Sequence, residues 1–295
     1  MKSKKSILVT GVHRSGTTWL ANMLNFGGGT EIVDEPFNLG DWAYSLDGLA
    51  EKWYAYIGDV DENLAKAAYQ RILDNKVRKV YPRRSLKHWL PPFRVDRKII
   101  KDPICALSSE WLAETFDFKV VVVVRHPMAF VKSLQRMEWA FPFEDLLSQE
   151  KLMVNHLKSF SNELTDAKNM TFNEQAIIVW KCIYSVLKTY LDNNPSWIQV
   201  RHEDISLDPI VGFEPLYNQL DLNWSDEVVQ QISSFTGDDN PSQAEGKVTH
   251  QMKRNSKDLI QGWKNSFDEN EISKLRKLAE PVSKHFYSDT YWSIA

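Results

Sequence analysis

Short apolar runs alternate with helical periodicity along this chain. Ile7 to Thr10 is a compact apolar run closed by Gly11, and Thr17 to Leu24 repeats apolar side chains at helical spacing, which predicts strand, loop and helix in that order. Gly27 to Gly29 end that helix. A second run, Glu31 to Asp34, leads into Glu35-Pro36-Phe37, where proline is expected to hold the residue before it extended. Lys98 to Lys101 is a third candidate strand. Lys119 followed by Val120 to Val124 is the clearest, because a continuous β-branched run belongs to a strand covered on both faces. Trp197 to Arg201 closes the set, and the longest helical pattern, Glu174 to Leu191, places Ile177, Trp180, Ile183, Val186, Leu187 and Tyr190 on one face. Strands alternating with helices predict an α/β fold with a parallel central sheet flanked by helices.

Two stretches interrupt this rhythm. Asp41 to Phe93 is rich in aromatic residues, and Phe141 to Asn173 reads as polar helix. Both are expected to form a helical or irregular lobe over the carboxyl edge of the sheet, where doubly wound sheets bind ligands. Residues 1–295 then form one domain with insert lobes at about residues 40–95 and 140–175, and no internal repeat divides them.

Composition narrows the class. Lys and Arg number 36 against 39 Asp and Glu, a formal charge of −3 that argues against a nucleic-acid-wrapping protein. A chain of 295 residues buries roughly 75% of the surface it exposes when unfolded, so its core needs neither disulfides nor a structural metal. Cys105 and Cys182 sit in apolar stretches and supply neither a disulfide framework nor a zinc site. The basic start leads into only Ile7 to Thr10 before Gly11, short of a signal sequence or a span of about 20 residues. These features predict a cytoplasmic protein without a transmembrane segment.

Candidate chemistry gathers at strand ends. Gly11-Val12-His13-Arg14-Ser15-Gly16-Thr17-Thr18 lies between the first strand and the first helix, where backbone amides and the positive helix end cradle an anion. A nucleoside-triphosphate loop has lysine where Thr17 stands, whereas here the cation, Arg14, comes three residues earlier. The clamp on β- and γ-phosphates is therefore missing. The polyvaline run delivers Arg125 to the same edge, His126-Pro127 opens a helix whose first turn tolerates proline, and Ser133 follows Arg125 by eight residues. A guanidinium and a hydroxyl so placed can grip one phosphate, and a solvated or salt-bridged arginine fits the pattern as well.

Arg14-Ser15-Gly16-Thr17-Thr18-Trp19 resembles the 5′-phosphosulfate loop of sulfotransferases that use 3′-phosphoadenosine 5′-phosphosulfate. The resemblance implies a P-loop, nucleotide-kinase-like three-layer sandwich. It assigns Arg14 to the transferring sulfuryl group, Ser15, Thr17 and Thr18, with Gly16, to the 5′-phosphate, and Trp19 to adenine. Arg125, Pro127 and Ser133 match the family's second motif, in which the arginine and serine hold the 3′-phosphate. His202-Glu203-Asp204-Ile205 resembles a later segment whose tyrosine meets adenine, so His202 takes that place. Lys253-Arg254-Asn255 and Gly262-Trp263-Lys264 look like the family's basic loop near the C-terminus, from which Arg254 is carried over. The two anion sites are expected to face one cavity, a nucleoside's width apart.

Sulfuryl transfer needs cations at the leaving oxygen and a base for the acceptor's proton. Arg14 is one cation and Lys101, at the end of the third strand, is the second. Pro103 occupies the place of the histidine base of cytosolic members, so the base is assigned to Glu35, whose Glu35-Pro36 pair resembles that of carbohydrate sulfotransferases. A bland alternative makes Glu35 a partner of Arg14 or the cap of a turn. His13 and His88 are reserve bases, with His13 expected to shape the loop. No metal is expected, because no cluster has metal-ligand spacing and a single transferring sulfuryl group needs no magnesium clamp.

From Lys76 to Lys101 ten Lys and Arg (Lys76, Arg78, Lys79, Arg83, Arg84, Lys87, Arg94, Arg97, Lys98 and Lys101) face one acid, Asp96, with Tyr81, Trp89 and Phe93 interleaved. Such a stretch can hold an anionic saccharide, making a glycan or glycolipid hydroxyl or amine the expected acceptor. It can also be a solvated face. Two rival functions share the fold pattern: a magnesium-dependent kinase of a small metabolite, against which Thr17 speaks, and a non-catalytic nucleotide-binding module, against which Glu35 and Lys101 speak.

Overall fold

The computed structural model describes residues 4–40, 44–81, 95–237, 239–241, 253, 255–257, 260 and 262–293. Its centre is a five-stranded sheet of β1 (Ile7–Gly11), β2 (Glu31–Asp34), β3 (Lys98–Lys101), β4 (Lys119–Val124) and β5 (Ile198–Arg201), in the order β2-β3-β1-β4-β5. Every pairing is parallel. Among the helices are α1 (Thr17–Asn25), α2 (Glu62–Leu73), α3 (Ser109–Phe116), α4 (Pro127–Met137), α5 (Phe172–Asn193), α6 (His202–Leu207), α7 (Pro209–Gln219), α8 (Asp226–Thr236) and α9 (Glu269–Ser283).

Strand alternation builds three layers. Leu8, Val33, Ile100, Val120, Val122 and Val124 turn to one face and join the apolar faces of α2, α5 and α9. Ile7, Val9, Ile99, Val121, Val123 and Val200 turn to the other, against α1, α7 and α8. Val120 to Val124 are buried on both sides, as a β-branched run demands. The apolar stripe expected on α5 is its buried face, but the helix begins earlier than the periodicity predicts. A capping box explains the extension: Thr171 accepts the Glu174 N–H, and Glu174 returns a bond to the Thr171 N–H.

The segment expected to be polar helix is a succession of short helical pieces, among them Glu144–Leu147, Glu150–Leu152, a π-helical stretch at Met153–Leu157 and Ser161–Asp166. Hydrogen bonds exchanged with the other insert accompany its breaks. Asp59 accepts the Lys151 and Leu152 N–H groups, each at 2.9 Å, Asp145 accepts the Trp53 N–H at 2.9 Å, and Gln149 Oε1 accepts the Tyr56 N–H at 2.7 Å. The inserts thus pack on one another. They reach the carboxyl edge through Tyr54, whose Oη accepts the His13 N–H at 2.8 Å.

Candidate active site

Register aligns the ends of the strands that carry the candidate residues. Gly11 lies opposite Val123, Asp34 opposite Lys101, and Val124 opposite Arg201. Beyond β1 the loop turns under β4, and a Cβ on Gly11 (φ +151°) would lie 2.3 Å from the Val123 carbonyl oxygen. Only glycine fits there. Arg14 takes the left-handed region at φ 65°, and the Ser15 N–H closes the turn on the Val12 carbonyl at 3.1 Å. Gly16 (φ +101°) is the N-cap of α1, and no side chain caps that helix. Its first-turn amides therefore face the loop as anion donors. Ser15 Oγ is buried and forms no hydrogen bond of good geometry with the described residues. Thr17 is buried and Thr18 partly exposed in the same turn. The His202 ring closes over Gly16 and lies 5.4 Å from Trp19 at 30°, so the two residues matched to adenine share one wall beside the helix terminus.

Arg125 follows β4 on the same side of the sheet. Its Nη1 donates to the Arg14 carbonyl at 2.6 Å, and Arg14 Nε donates to Ser133 Oγ on α4 at 3.2 Å. The residues assigned to the two anions lie side by side at one edge of the sheet. They are contiguous rather than a nucleoside's width apart, because the Arg14 side chain leans across to Ser133. Around them, Glu203 Oε1 accepts the His126 N–H at 2.9 Å and Oε2 accepts the Tyr287 hydroxyl at 2.8 Å. Trp263 stacks on His126 at 4.8 Å, and Lys132 Nζ reaches the Gly262 carbonyl, which brings the Gly262-Trp263 segment against α4. Burial takes the His126 imidazole down to about 3, helped by the nearby Lys264 and Arg276 charges, so the ring is neutral in the folded protein.

Glu35 departs from the expected extended conformation. Its φ is 44°, fixed by its N–H on the Lys101 carbonyl at 2.9 Å and by its carboxylate, whose Oε1 accepts Lys101 Nζ at 2.5 Å and whose Oε2 accepts Asn38. Lys101 also pairs with Asp34 and is 2% exposed. Burial lowers its basicity, but Glu35 and Asp34 more than offset this and raise it, keeping the ammonium charged. Glu35 is thus a partner of Lys101; no ion pair with Arg14 forms among the described residues.

Asp102, which strand-end reasoning passed over, lies beside Lys101. Its carboxylate is fully buried and accepts N–H groups from Phe37 at 2.8 Å, Ile104 at 2.9 Å and Cys105 at 3.1 Å. Burial first, then the negative charge of Glu35, push it up to about 8 against the pull of those donors and Lys101. The only linear signal was its place beside Lys101. Tyr54 and Trp139 carried no signal beyond aromatic composition. Tyr54 Oη shares a hydrogen with His13 Nδ1 at 2.6 Å, and burial, with Arg14 adding to it, takes His13 down to about 3. His13 is a neutral, wedged ring that shapes the loop. Trp139 is 40% exposed, with the Arg14 guanidinium 5.5 Å from its ring.

The basic stretch is not a continuous free face. Lys98 pairs with Glu31 at 3.0 Å in the core, Lys101 is enclosed as above, and Arg97 donates to carbonyls of Lys5, Leu220 and Asp221 at the amino end of the sheet. Tyr81 is buried with its hydroxyl on the Ile72 carbonyl, so it offers no stacking surface. These residues serve the sheet because strand pairing places them there. His88, Arg83, Arg84, Lys87, Trp89, Phe93, Arg94 and Arg254 lie outside the described residues. Among the described residues no group of His, Cys, Asp and Glu could hold a metal ion, and no helix is long and apolar enough to cross a membrane.

The chain is similar to several solved structures. The sulfotransferase domain from the curacin biosynthetic pathway superposes with a TM-score of 0.53 at 17% identity, covering 97% of this chain and 98% of that one. The sulfotransferase domain from the Synechococcus PCC 7002 olefin synthase gives 0.49 at 15% identity over 98% of both chains. Mouse sulfotransferase SULT7A1 complexed with PAP gives 0.48 at 14% identity, covering 99% of this chain and 88% of that one. No curated protein matches the chain. The model of the sulfotransferase family, in contrast, matches residues 6–226, from the strand before the phosphate loop through α7. That span takes in most of this 295-residue chain and both arginine-bearing strand ends, and the chain accordingly belongs to the sulfotransferase family, as a sulfuryl-transferring enzyme.

Proposed function

We propose that this enzyme transfers a sulfuryl group from 3′-phosphoadenosine 5′-phosphosulfate to a hydroxyl or amine of a glycan or glycolipid. One observation carries the donor: Arg14 and Arg125 belong to different strand ends yet meet at one edge of the sheet, through the 2.6 Å bond to the Arg14 carbonyl and the 3.2 Å bond to Ser133. Such a meeting suits a nucleotide with anions at both ends. The uncapped amides of α1 and the buried Ser15 hydroxyl suit its 5′-phosphate, Arg125 and Ser133 its 3′-phosphate, and Trp19 with His202 its base.

The same residues give a mechanism. Arg14 stabilises the charge that grows on the bridging oxygen as the sulfur leaves the 5′-phosphate, whereas Lys101, enclosed by Asp34 and Glu35, serves to position Glu35 rather than as a second cation. Glu35 accepts the acceptor's proton as the new bond to sulfur forms. A carboxylate has about four lone-pair sites, and Lys101 and Asn38 engage one on each oxygen, so Glu35 retains capacity for that proton. Lys101 holds its carboxylate in place. Trp139, exposed beside Arg14, supplies a flat face for a sugar ring, and the exposed Arg78 and Lys79 suit an acidic saccharide.

Thermal unfolding with added nucleotide tests the donor. Adenosine 3′,5′-bisphosphate at 100 times its dissociation constant adds about 2.7 kcal/mol, while ATP with magnesium adds little. Stabilisation by ATP and not by the bisphosphate refutes the reading. A panel of desulfated glycans and small phenols, scored for label transfer, tests the acceptor; transfer to phenols alone removes the saccharide.

A further inference from the structure

We propose that Arg136 is a third ligand for the donor's 3′-phosphate, completing a pocket with Arg125 and Ser133; this rests on the donor reading above. Arg136 follows Ser133 by three residues on α4, so the two side chains rise from neighbouring positions within one turn. Its Nη1 is buried, with no hydrogen-bond partner among the described residues. A guanidinium nitrogen shut away from water without an acceptor is costly, and the cost disappears when an anion sits against it.

Charge at this edge points the same way. Arg125 is held below the usual arginine range, by burial first, with the positive charge of Arg136 adding to it and Glu203 opposing. The two guanidiniums therefore lie within each other's field. Glu203, the carboxylate acting on Arg125, is occupied by the His126 N–H and the Tyr287 hydroxyl, and burial raises its proton affinity. Arg125 commits Nη1 to the Arg14 carbonyl and leaves other donors of its fork. A phosphate monoester brings about −1.5 to −2 charge and three acceptor oxygens, the complement that two neighbouring guanidiniums and a hydroxyl call for.

Isothermal titration of the full chain with adenosine 3′,5′-bisphosphate and with 5′-AMP tests this, using the wild type, Arg136→Ala and Arg136→Lys. Wild type is expected to prefer the bisphosphate. Arg136→Ala should weaken the bisphosphate on the order of tenfold or more while 5′-AMP changes by less than about twofold, and Arg136→Lys should recover part of the loss. Unchanged bisphosphate affinity in a wild type that retains its preference overturns the role of Arg136 and leaves the donor standing. Equal loss for both nucleotides also overturns it, marking Arg136 as structural. A wild type without preference for the bisphosphate overturns the donor reading, and this pocket with it. Should Arg136→Ala unfold, Arg136→Gln, which keeps most of the stem, carries the same comparison.

Discussion

Gly11 and Glu35 show how much rests on single backbone positions. Gly11 could be read from the sequence as a loop glycine, but the reason for it is the Val123 carbonyl, which belongs to a strand more than a hundred residues away. Gly11→Ala is expected to lower stability by about 2–3 kcal/mol in urea unfolding, because the new methyl group meets backbone that cannot yield. Glu35 was legible as a candidate carboxylate, whereas its left-handed backbone and its clasp on Lys101 were not, since both depend on β3 arriving beside β2. Glu35→Gln should bind adenosine 3′,5′-bisphosphate within about twofold of wild type and lose 10²–10⁴-fold in turnover. Unchanged turnover would remove it as the base.

Elements follow local rules wherever the rule is local. The polyvaline strand and the α5 stripe were both readable, because burial on two faces and burial on one stripe leave different periodicities. The start of α5 depends on Thr171 and Glu174, whose reciprocal bonds add the first turn. Thr171→Ala should cost about 1 kcal/mol in thermal or chemical unfolding without altering nucleotide binding. A larger effect on binding than on stability would contradict that assignment. In the 141–173 insert the polar pattern was correctly helical, yet the turns break where Asp59, Asp145 and Gln149 exchange hydrogen bonds between the two inserts. Such partners are distant in sequence, so periodicity carries no trace of them.

At the scale of the whole molecule, three buried groups set a dependence on pH. His13 and His126 fall from 6.5 to about 3 on folding, so the unfolded chain binds protons that the native protein refuses, and stability declines as pH drops below 6.5. Asp102 rises from 3.8 to about 8, so the native protein keeps a proton the unfolded chain has lost, and stability declines as pH rises through that range. Two histidines outweigh one aspartate below 6.5, and above it only Asp102 acts. From these groups stability should peak near pH 6.5 and decline towards pH 8, as melting temperatures across that range would register. Asp102→Asn should flatten the alkaline limb and steepen the acidic one, where the aspartate otherwise opposes the histidines. A wild type whose stability is level from pH 6.5 to 8 would show that Asp102 is already ionised in the fold. By itself the sequence determined the strands, the principal helices, the phosphate loop and the arginines that end or follow strands, because each is written in a few adjacent residues whose chemistry is the same in any context. Tertiary structure decided the rest: that Arg14 and Arg125 lie side by side, that Lys101 lies between two carboxylates, that Asp102 is sealed from water and that Tyr54 wedges His13. Those outcomes depend on which distant segments the parallel sheet and its inserts bring together, and burial and charge coupling act only after that contact is made.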